Sequence, residues 1–262
     1  MILTADYHTH TVFSHGKGTI LDNAMQAKAM GLKEIAISDH GFSHPAFGIT
    51  GRKVPEMRRL CDEATKETGV KVLLGIESNL LGKKGGVDLK PKYYEYFDVF
   101  LAGAHRFILF ESLSAWFGFF GRNFFTAITK KKPSKGLIKT TTKAYINAIK
   151  KHPIDAITHL NYLYYADAVE VAKCARDYGT YIELNAKKTH LSDEQLAAVR
   201  DTGVQFIIGS DAHAPQRVGE ISLVEKTLSR VEIPAAQIAN IDGKTPSFRF
   251  AEYKTAHGME IR

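Results

Sequence analysis

His8 and His10 stand one residue apart in the opening segment Asp6-Tyr7-His8-Thr9-His10-Thr11. Alternate residues of an extended chain point the same way, so both imidazoles can reach one metal ion. Residues of the same chemical types recur along the chain: Asp39 with His40, Glu77, His105, His159, Asn185 just after Glu183, and Asp211 with His213. Imidazole and carboxylate together form the ligand set of Zn, Mn or Fe, whereas Mg and Ca call for oxygen ligands alone. The inventory exceeds what one ion can use and implies two or three divalent transition-metal ions. His15 lies in the glycine-bearing turn Ser14-His15-Gly16-Lys17-Gly18 and is expected at the same rim. A lone histidine at any of these positions would most simply be a hydrogen-bonded structural residue; six strand ends carrying such residues independently are hard to explain that way.

The elements that must position them can be read from the apolar pattern. Seven runs of strand length, at residues 2–6, 34–38, 71–76, 98–103, 155–158, 180–184 and 204–209, alternate with segments of helical period. That is the mark of repeated βα units around a parallel sheet. Each candidate ligand follows one of these runs, and in parallel barrels the side chains past the carboxyl ends of the strands converge on one rim. Thr19 with Asp22 reads as a capping box, with Gly31 past the end of that helix. Pro55 suits the first turn of a second helix, and Ser192 followed by Asp193 and Glu194 starts another.

The set Asp6-Tyr7-His8-Thr9-His10-Thr11, Ser38-Asp39-His40-Gly41, Gly75-Ile76-Glu77, Ala104-His105, Thr158-His159 and Gly209-Ser210-Asp211-Ala212-His213 resembles the polymerase and histidinol phosphatase (PHP) superfamily, in family order over roughly residues 6 to 220. The resemblance implies an α/β fold, a distorted seven-stranded (β/α)7 barrel of TIM-like type, with a trinuclear centre at the C-terminal rim of the strands. It implies one ion held by His8, His10, Glu77 and Asp211, a second bridged by Glu77 and held with His105 and His159, and a third held by His15, His40 and His213. Asp39 would orient a ligand histidine from behind. Glu77 and Asp211 are also expected to serve catalysis, and Lys17 and Arg217 to add positive charge at the rim. His44, His152, His190 and His257 fall outside the motifs and read as surface residues. The sequence departs from the family's pattern at Asn161, where many members have His-Pro or His-Gly, and in a long insert after His105.

A chain of 262 residues, 44% hydrophobic, is expected to form one domain over residues 1–262. No run approaches the roughly 18 apolar residues of a membrane span, and the start has no signal-peptide pattern, so a cytoplasmic location and no membrane partner are expected. Cys61 and Cys174 have no zinc-ribbon spacing and read as two buried free thiols. The insert, at about 106–136, holds Phe107, Phe110, Trp116, Phe117, Phe119, Phe120, Phe124 and Phe125 and then Lys130, Lys131, Lys132 and Lys135, with Lys139 and Lys143 beyond. It is too long for an ordinary βα loop and reads first as extra helix packed on the barrel, with a lid or a dimer contact as the alternatives. The function expected is a metal-dependent phosphoesterase acting on a small phosphorylated metabolite, a histidinol-phosphate-like monoester among the candidates. A DNA- or nucleotide-directed phosphodiesterase, with nucleic acid as partner, ranks second, and a non-catalytic metal-binding module third. The oligomeric state is left open.

Overall fold

The computed structural model describes residues 1–105, 108, 109, 112, 116–129 and 131–261. Its centre is a sheet of seven parallel strands in sequential order: β1 (Ala5–Thr9), β2 (Glu34–Ile37), β3 (Lys71–Asn79), β4 (Val99–Gly103), β5 (Ala156–Ile157), β6 (Tyr181–Asn185) and β7 (Phe206–Gly209). The helices around it are α1 (Ile20–Ala29), α2 (Val54–Thr68), α3 (Arg122–Thr129), α4 (Lys135–Lys151), α5 (Ala168–Tyr178), α6 (Asp193–Arg200), α7 (Ser222–Leu228) and α8 (Arg249–Ala256). The sequence signals for helix starts hold. Thr19 and Asp22 form a reciprocal capping box on α1, Pro55 lies in the first turn of α2, and Ser192 caps α6. Gly31, just past α1, has φ +72°, the left-handed geometry that glycine takes without a Cβ penalty.

Two strands differ by three residues at an end from the apolar runs that announced them; the other five agree within two at each end. The first run, residues 2–6, yields a strand three residues later, because Ile2 is 74% exposed and Leu3 makes an antiparallel bridge with Ile241 instead. His8 and Thr9 therefore belong to β1 itself. β3 continues past Ile76 to Asn79, which places Glu77 inside the strand, paired in register with Leu101 of β4.

Strand alternation divides the barrel interior into two storeys. Lower down, Ala5, Tyr7, Ala36, Leu73, Val99, Leu101, Ala156 and Ile207 form a small apolar cluster closed by Phe248, which meets Tyr7 edge-on at 4.9 Å. Higher on the same faces the residues become small or polar: Leu73 leads to Gly75, Glu77 and Asn79, and Leu101 leads to Gly103 and His105. β1 changes phase to join them, with its register to β2 shifting between Asp6 and Thr9. That irregularity lets Tyr7 fill the lower storey while His8 and His10 enter the upper one.

β1 and β7 meet at a seam with little direct pairing. Buried Asn240 fills it, donating from Nδ2 to the Ala5 and Ile208 carbonyls at 2.8 Å each and accepting the Ile208 N–H at 2.9 Å. One amide thus stands in for a rung of the sheet ladder.

In the insert, a π-helical turn over Trp116–Gly121 runs into α3, with Phe119 and Phe120 buried and Phe119 lying 5.0 Å from Tyr164. Extra helix on the barrel is thus what the described part forms; Phe107, Phe110 and Lys130 lie outside the described residues. Both cysteines are free and buried. No helix among the described residues is long and apolar enough to cross a membrane.

Replacing Asn240 by alanine is expected to leave buried backbone groups at the seam unpaired and to cost on the order of 3 kcal/mol of stability, read from urea unfolding. An unchanged unfolding midpoint would mean that the seam does not depend on this amide.

Candidate metal centre

Glu77, fully buried, sits at the middle of the upper storey. Its Oε1 lies 2.7 Å from His159 Nε2, 3.1 Å from His105 Nε2 and 3.3 Å from His8 Nε2, and its Oε2 lies 3.0 Å from His40 Nδ1 and 3.7 Å from His10 Nε2. Asp211 Oδ1 approaches from the other side, 3.5 Å from His10 Nε2, 4.0 Å from His8 Nε2 and 3.2 Å from His213 Nδ1. Among the described residues, four groups have ligand atoms close enough together to share an ion: His8, His10 and Glu77; His40, Glu77 and His105; His8, His159 and Asp211; and His10, His40 and His213. Eight of the nine expected ligands fall in these groups. The ninth, His15, is exposed but stacks on His40 at 4.8 Å and meets His213 at 4.2 Å between ring centroids.

A metal fits what these side chains otherwise leave undone. His8 Nε2, both ring nitrogens of His10, His40 Nδ1 and Glu77 Oε2 are buried and make no hydrogen bond among the described residues. Buried polar atoms without partners are costly, and so many in one place are the donor set of bound cations. The titration behaviour points the same way. Burial resists ionisation of Glu77, yet His105, His8 and His159 hold its carboxyl well below the usual range. Burial likewise opposes charge on His8, but Glu183, Glu77 and Asp211 outweigh it and hold that imidazole well above its ordinary value. His10, by contrast, is driven well below by burial and by its neighbours His40, His213 and His8. His15, exposed on one side but packed on its neighbours, is pushed down to about 3 by the partial loss of water around its ring and by His213 and His40. Glu77 is thus kept charged and His10 and His15 neutral, the forms in which each can hold a cation.

The residues around the ligands fix their poses. His8 Nδ1 bonds Glu183 Oε1 at 2.6 Å, while Glu183 Oε2 accepts the His159 backbone N–H at 2.8 Å. His105 Nδ1 bonds Asn79 Oδ1 at 2.8 Å. Asn185 donates to Glu183 at 3.0 Å and to Asp211 at 3.3 Å. His159 and Asp211 both have positive φ, +30° and +50°, an uncommon state for non-glycine residues and one met at functional sites. Asn161, also left-handed at φ +71°, suits that geometry, and its side chain accepts the Ala166 N–H. Two glycines leave room for the cluster. A Cβ at Gly103 would collide with Thr158 and His159, and one at Gly209 with Glu183 and His8.

The PHP domain model matches residues 6–223, well over half of the chain and the whole ligand set. The chain belongs to the PHP domain family. Curated relatives of this PHP protein carry the name probable phosphatase. That of Thermoanaerobacter sp. (strain X514) is 31% identical over 99% of this chain and 100% of its own length, and that of Shewanella sediminis is 31% identical over 90% and 88%. Among solved structures, the histidinol phosphate phosphatase of Lactococcus lactis, crystallised with zinc, L-histidinol and phosphate, superposes with a TM-score of 0.59 at 16% identity, covering 94% of this chain and all of its own. At that identity the likeness is one of fold. The likeness to relatives named as probable phosphatases thus runs over nearly the whole chain.

Several residues stand otherwise than the sequence suggested. Asp39 holds the loop after β1, accepting from the Thr11 N–H at 2.7 Å and from the Thr11 and Ser14 hydroxyls, and comes no nearer than 4.0 Å to His10 Nδ1. Its support of that ligand runs through the loop and not through a hydrogen bond. Arg217 pairs with Glu220 at 2.6 Å, and the Lys17 backbone N–H bonds the His213 carbonyl while its side chain is exposed. Among the described residues, a cation that touches the cluster is Lys187, with Nζ 3.2 Å from Asp211 Oδ1 and 3.1 Å from His213 Nδ1. It follows Asn185 by two residues, so looking slightly further past the end of β6 would have found it. His190 and His44, read from sequence as surface residues, border the site. His190 lies 6.1 Å from His159 and 4.9 Å from Tyr162, and burial and His159 push it down to about 4. His44 stacks 5.9 Å from His40.

Protein purified without chelator is expected to hold two to three transition-metal ions per chain by elemental analysis, and fewer after Glu77→Ala. Because His8 and His159 are held protonated above their ordinary range in the metal-free form, ions must displace protons, so affinity should rise with pH, and the rise should extend above the ordinary imidazole range. Glu183→Ala, which frees His8, is expected to weaken metal binding roughly 10- to 100-fold. Wild-type affinity in that variant would reduce Glu183 to a packing role.

Proposed function

We propose that this PHP protein is a phosphatase acting on a small phosphorylated metabolite, with a histidinol-phosphate-like monoester as the first ester to try. The observation that supports this most is the convergence of His8, His10, His40, His105, His159, His213, Glu77 and Asp211 in one buried basin, with Lys187 reaching it from the solvent side. His8, His10, Glu77 and Asp211 would hold one ion, His105 and His159 a second with Glu77 shared, and His40 and His213, with His15, a third. Bound ions would supply Lewis acidity for the attack of water at phosphorus and for charge on the phosphoryl oxygens.

This chain's own residues supply the rest. The Lys187 ammonium, about half exposed and already at hydrogen-bond distance from Asp211 and His213, stands where a phosphoryl oxygen can take over those contacts. Such a preorganised donor acts most strongly where charge grows in the transition state. Beside His159, Leu160, Leu184 and Leu191 with His190 line a cleft that can take the carbon skeleton of the ester. Glu183 holds His8 and the backbone of His159 fixed throughout.

With manganese- or zinc-loaded protein, phosphate release is expected from at least one phosphorylated metabolite in a screen. Asp211→Asn should abolish it. Lys187→Ala should lower kcat/KM by about 10- to 1000-fold at unchanged metal content. Arg217→Ala, if that residue also faces the phosphate, should do the same; full activity would leave it a partner of Glu220 alone. A fully metal-loaded protein that releases phosphate from no ester would overturn the phosphatase reading.

A further inference from the structure

The polarity of α3 is reversed for a helix of a water-soluble domain. Its buried residue is polar Asn123, bonded to the Phe119 carbonyl at 2.9 Å and to Thr141 at 3.2 Å. Phe125 and Ile128, one helical turn apart, are 62% and 51% exposed. The turn before it continues the pattern, with Phe117 at 65% and Trp116 at 43% exposure. Scattered exposed apolar residues are ordinary, but four large ones within thirteen residues form a patch that wants a partner.

The charge beside the patch indicates which partner. Between residues 112 and 154 the sequence has nine lysines and arginines and not one aspartate or glutamate, while the excess over the whole chain is only +7. The rest of the protein is therefore slightly acidic, and the cationic charge is concentrated here. Lys131, Lys132, Lys135, Lys139 and Lys143 are exposed and make no ion pair among the described residues. Lys135, Lys139 and Lys143 follow one another at four-residue spacing along one face of α4.

We propose that the Trp116–Ile128 face and the adjoining lysines form a docking surface for an anionic phospholipid bilayer. Aromatic and aliphatic side chains beside an acid-free run of lysines are the two components of peripheral membrane binding, one entering the headgroup boundary and the other attracted to its charge. A second copy of the chain would bring the same cationic surface against itself. Single-stranded nucleic acid could stack on the aromatics, but Ile128 has no ring for a base to stack on. The absence of a spanning helix concerns insertion and leaves surface binding untouched. The surface also adjoins the metal centre: Tyr164, packed on Phe119, donates its hydroxyl to the His105 carbonyl at 3.5 Å. This inference does not depend on the phosphatase reading.

Trp116 is the only tryptophan in the chain and reports on the surface directly. Titration with vesicles of phosphatidylglycerol and phosphatidylcholine in equal parts is expected to shift its emission to the blue and to carry the protein into the vesicle pellet. Vesicles of phosphatidylcholine alone should do neither, and added salt should reverse the effect. Lys131→Glu with Lys132→Glu should weaken partitioning by about 10-fold or more. Phe125→Ser with Ile128→Ser should abolish the pelleting while leaving the far-ultraviolet circular dichroism and the hydrolysis of a soluble ester as in the wild type. No pelleting and no shift on anionic vesicles overturns the proposal. In that case, salt-sensitive binding of an oligonucleotide lost in the lysine variant would assign the surface to nucleic acid, and a dimer lost in the Phe125/Ile128 variant would assign it to a second copy.

Discussion

A carboxylate buried beyond reach of water, facing five imidazoles, is the constraint around which this molecule is organised. Glu77 cannot be solvated where it sits, and its charge persists only because His8, His40, His105 and His159 come within 3.3 Å and His10 within 3.7 Å of it. Burial, and then the opposition of neighbouring imidazoles, drives His10 and His40 down, while His8 and His159, next to additional carboxylates, are driven up. Divalent cations resolve both conflicts at once, because they satisfy the carboxylate and use the imidazoles in their neutral form. These side chains come from β1, β3 and the segments after β2, β4, β5 and β7, so ions held by them would also join most of the barrel's circumference, and the free energy of binding would be shared with folding.

The barrel accommodates the cluster by changing character along its axis. Below, Tyr7, Leu73, Val99, Leu101 and Ile207 pack as an ordinary apolar core. Above, the same inward register carries glycines and ligands. Gly103 and Gly209 are as much part of the site as the histidines, since a methyl group at either position would occupy the space of Glu183, His8 or His159. The phase shift in β1 is the third device. Without it Tyr7 and His8 could not both face inward, because neighbouring residues of a regular strand point to opposite sides.

The members of the cluster were legible in the sequence because the strand-end rule is local: an apolar run followed by His, Asp or Glu can be seen without knowing the fold. Glu183, Asn79 and Lys187 were not legible in the same way. Glu183 could be seen as a carboxylate at the end of the sixth run, but its role appears only when His8, 175 positions earlier, is brought to within 2.6 Å. The position of β1 was misread because Ile2 and Leu3 are as apolar as a strand, yet one faces solvent and the other bridges Ile241. His190 read as a surface residue since nothing in its neighbours announces that the loop after β6 folds back over His159. The insert shows the reverse limit. Its composition was plain, but which of its aromatics are covered depended on Asn123 being the residue that turns inward.

The distribution of charge bears on how a phosphorylated substrate could bind at all. The lysine-rich segment holds nine cations, more than the net excess of the whole chain, so the remainder of the protein offers an anionic substrate no general attraction. At the basin itself the carboxylates Glu77, Glu183 and Asp211 face Lys187 and a set of imidazoles in which His8 and His159 are favoured as cations while His10 and His40 are not. A phosphate dianion approaching that basin without ions would meet roughly balanced charge and several neutral nitrogens with lone pairs directed at it. With two or three divalent ions in place the same basin becomes strongly positive, and the field at short range exceeds anything Lys187 alone can provide. Metal ions held there would therefore supply the affinity for phosphate as well as the chemistry. The protein's cationic side chains are left to refine the position of the group that the ions attract.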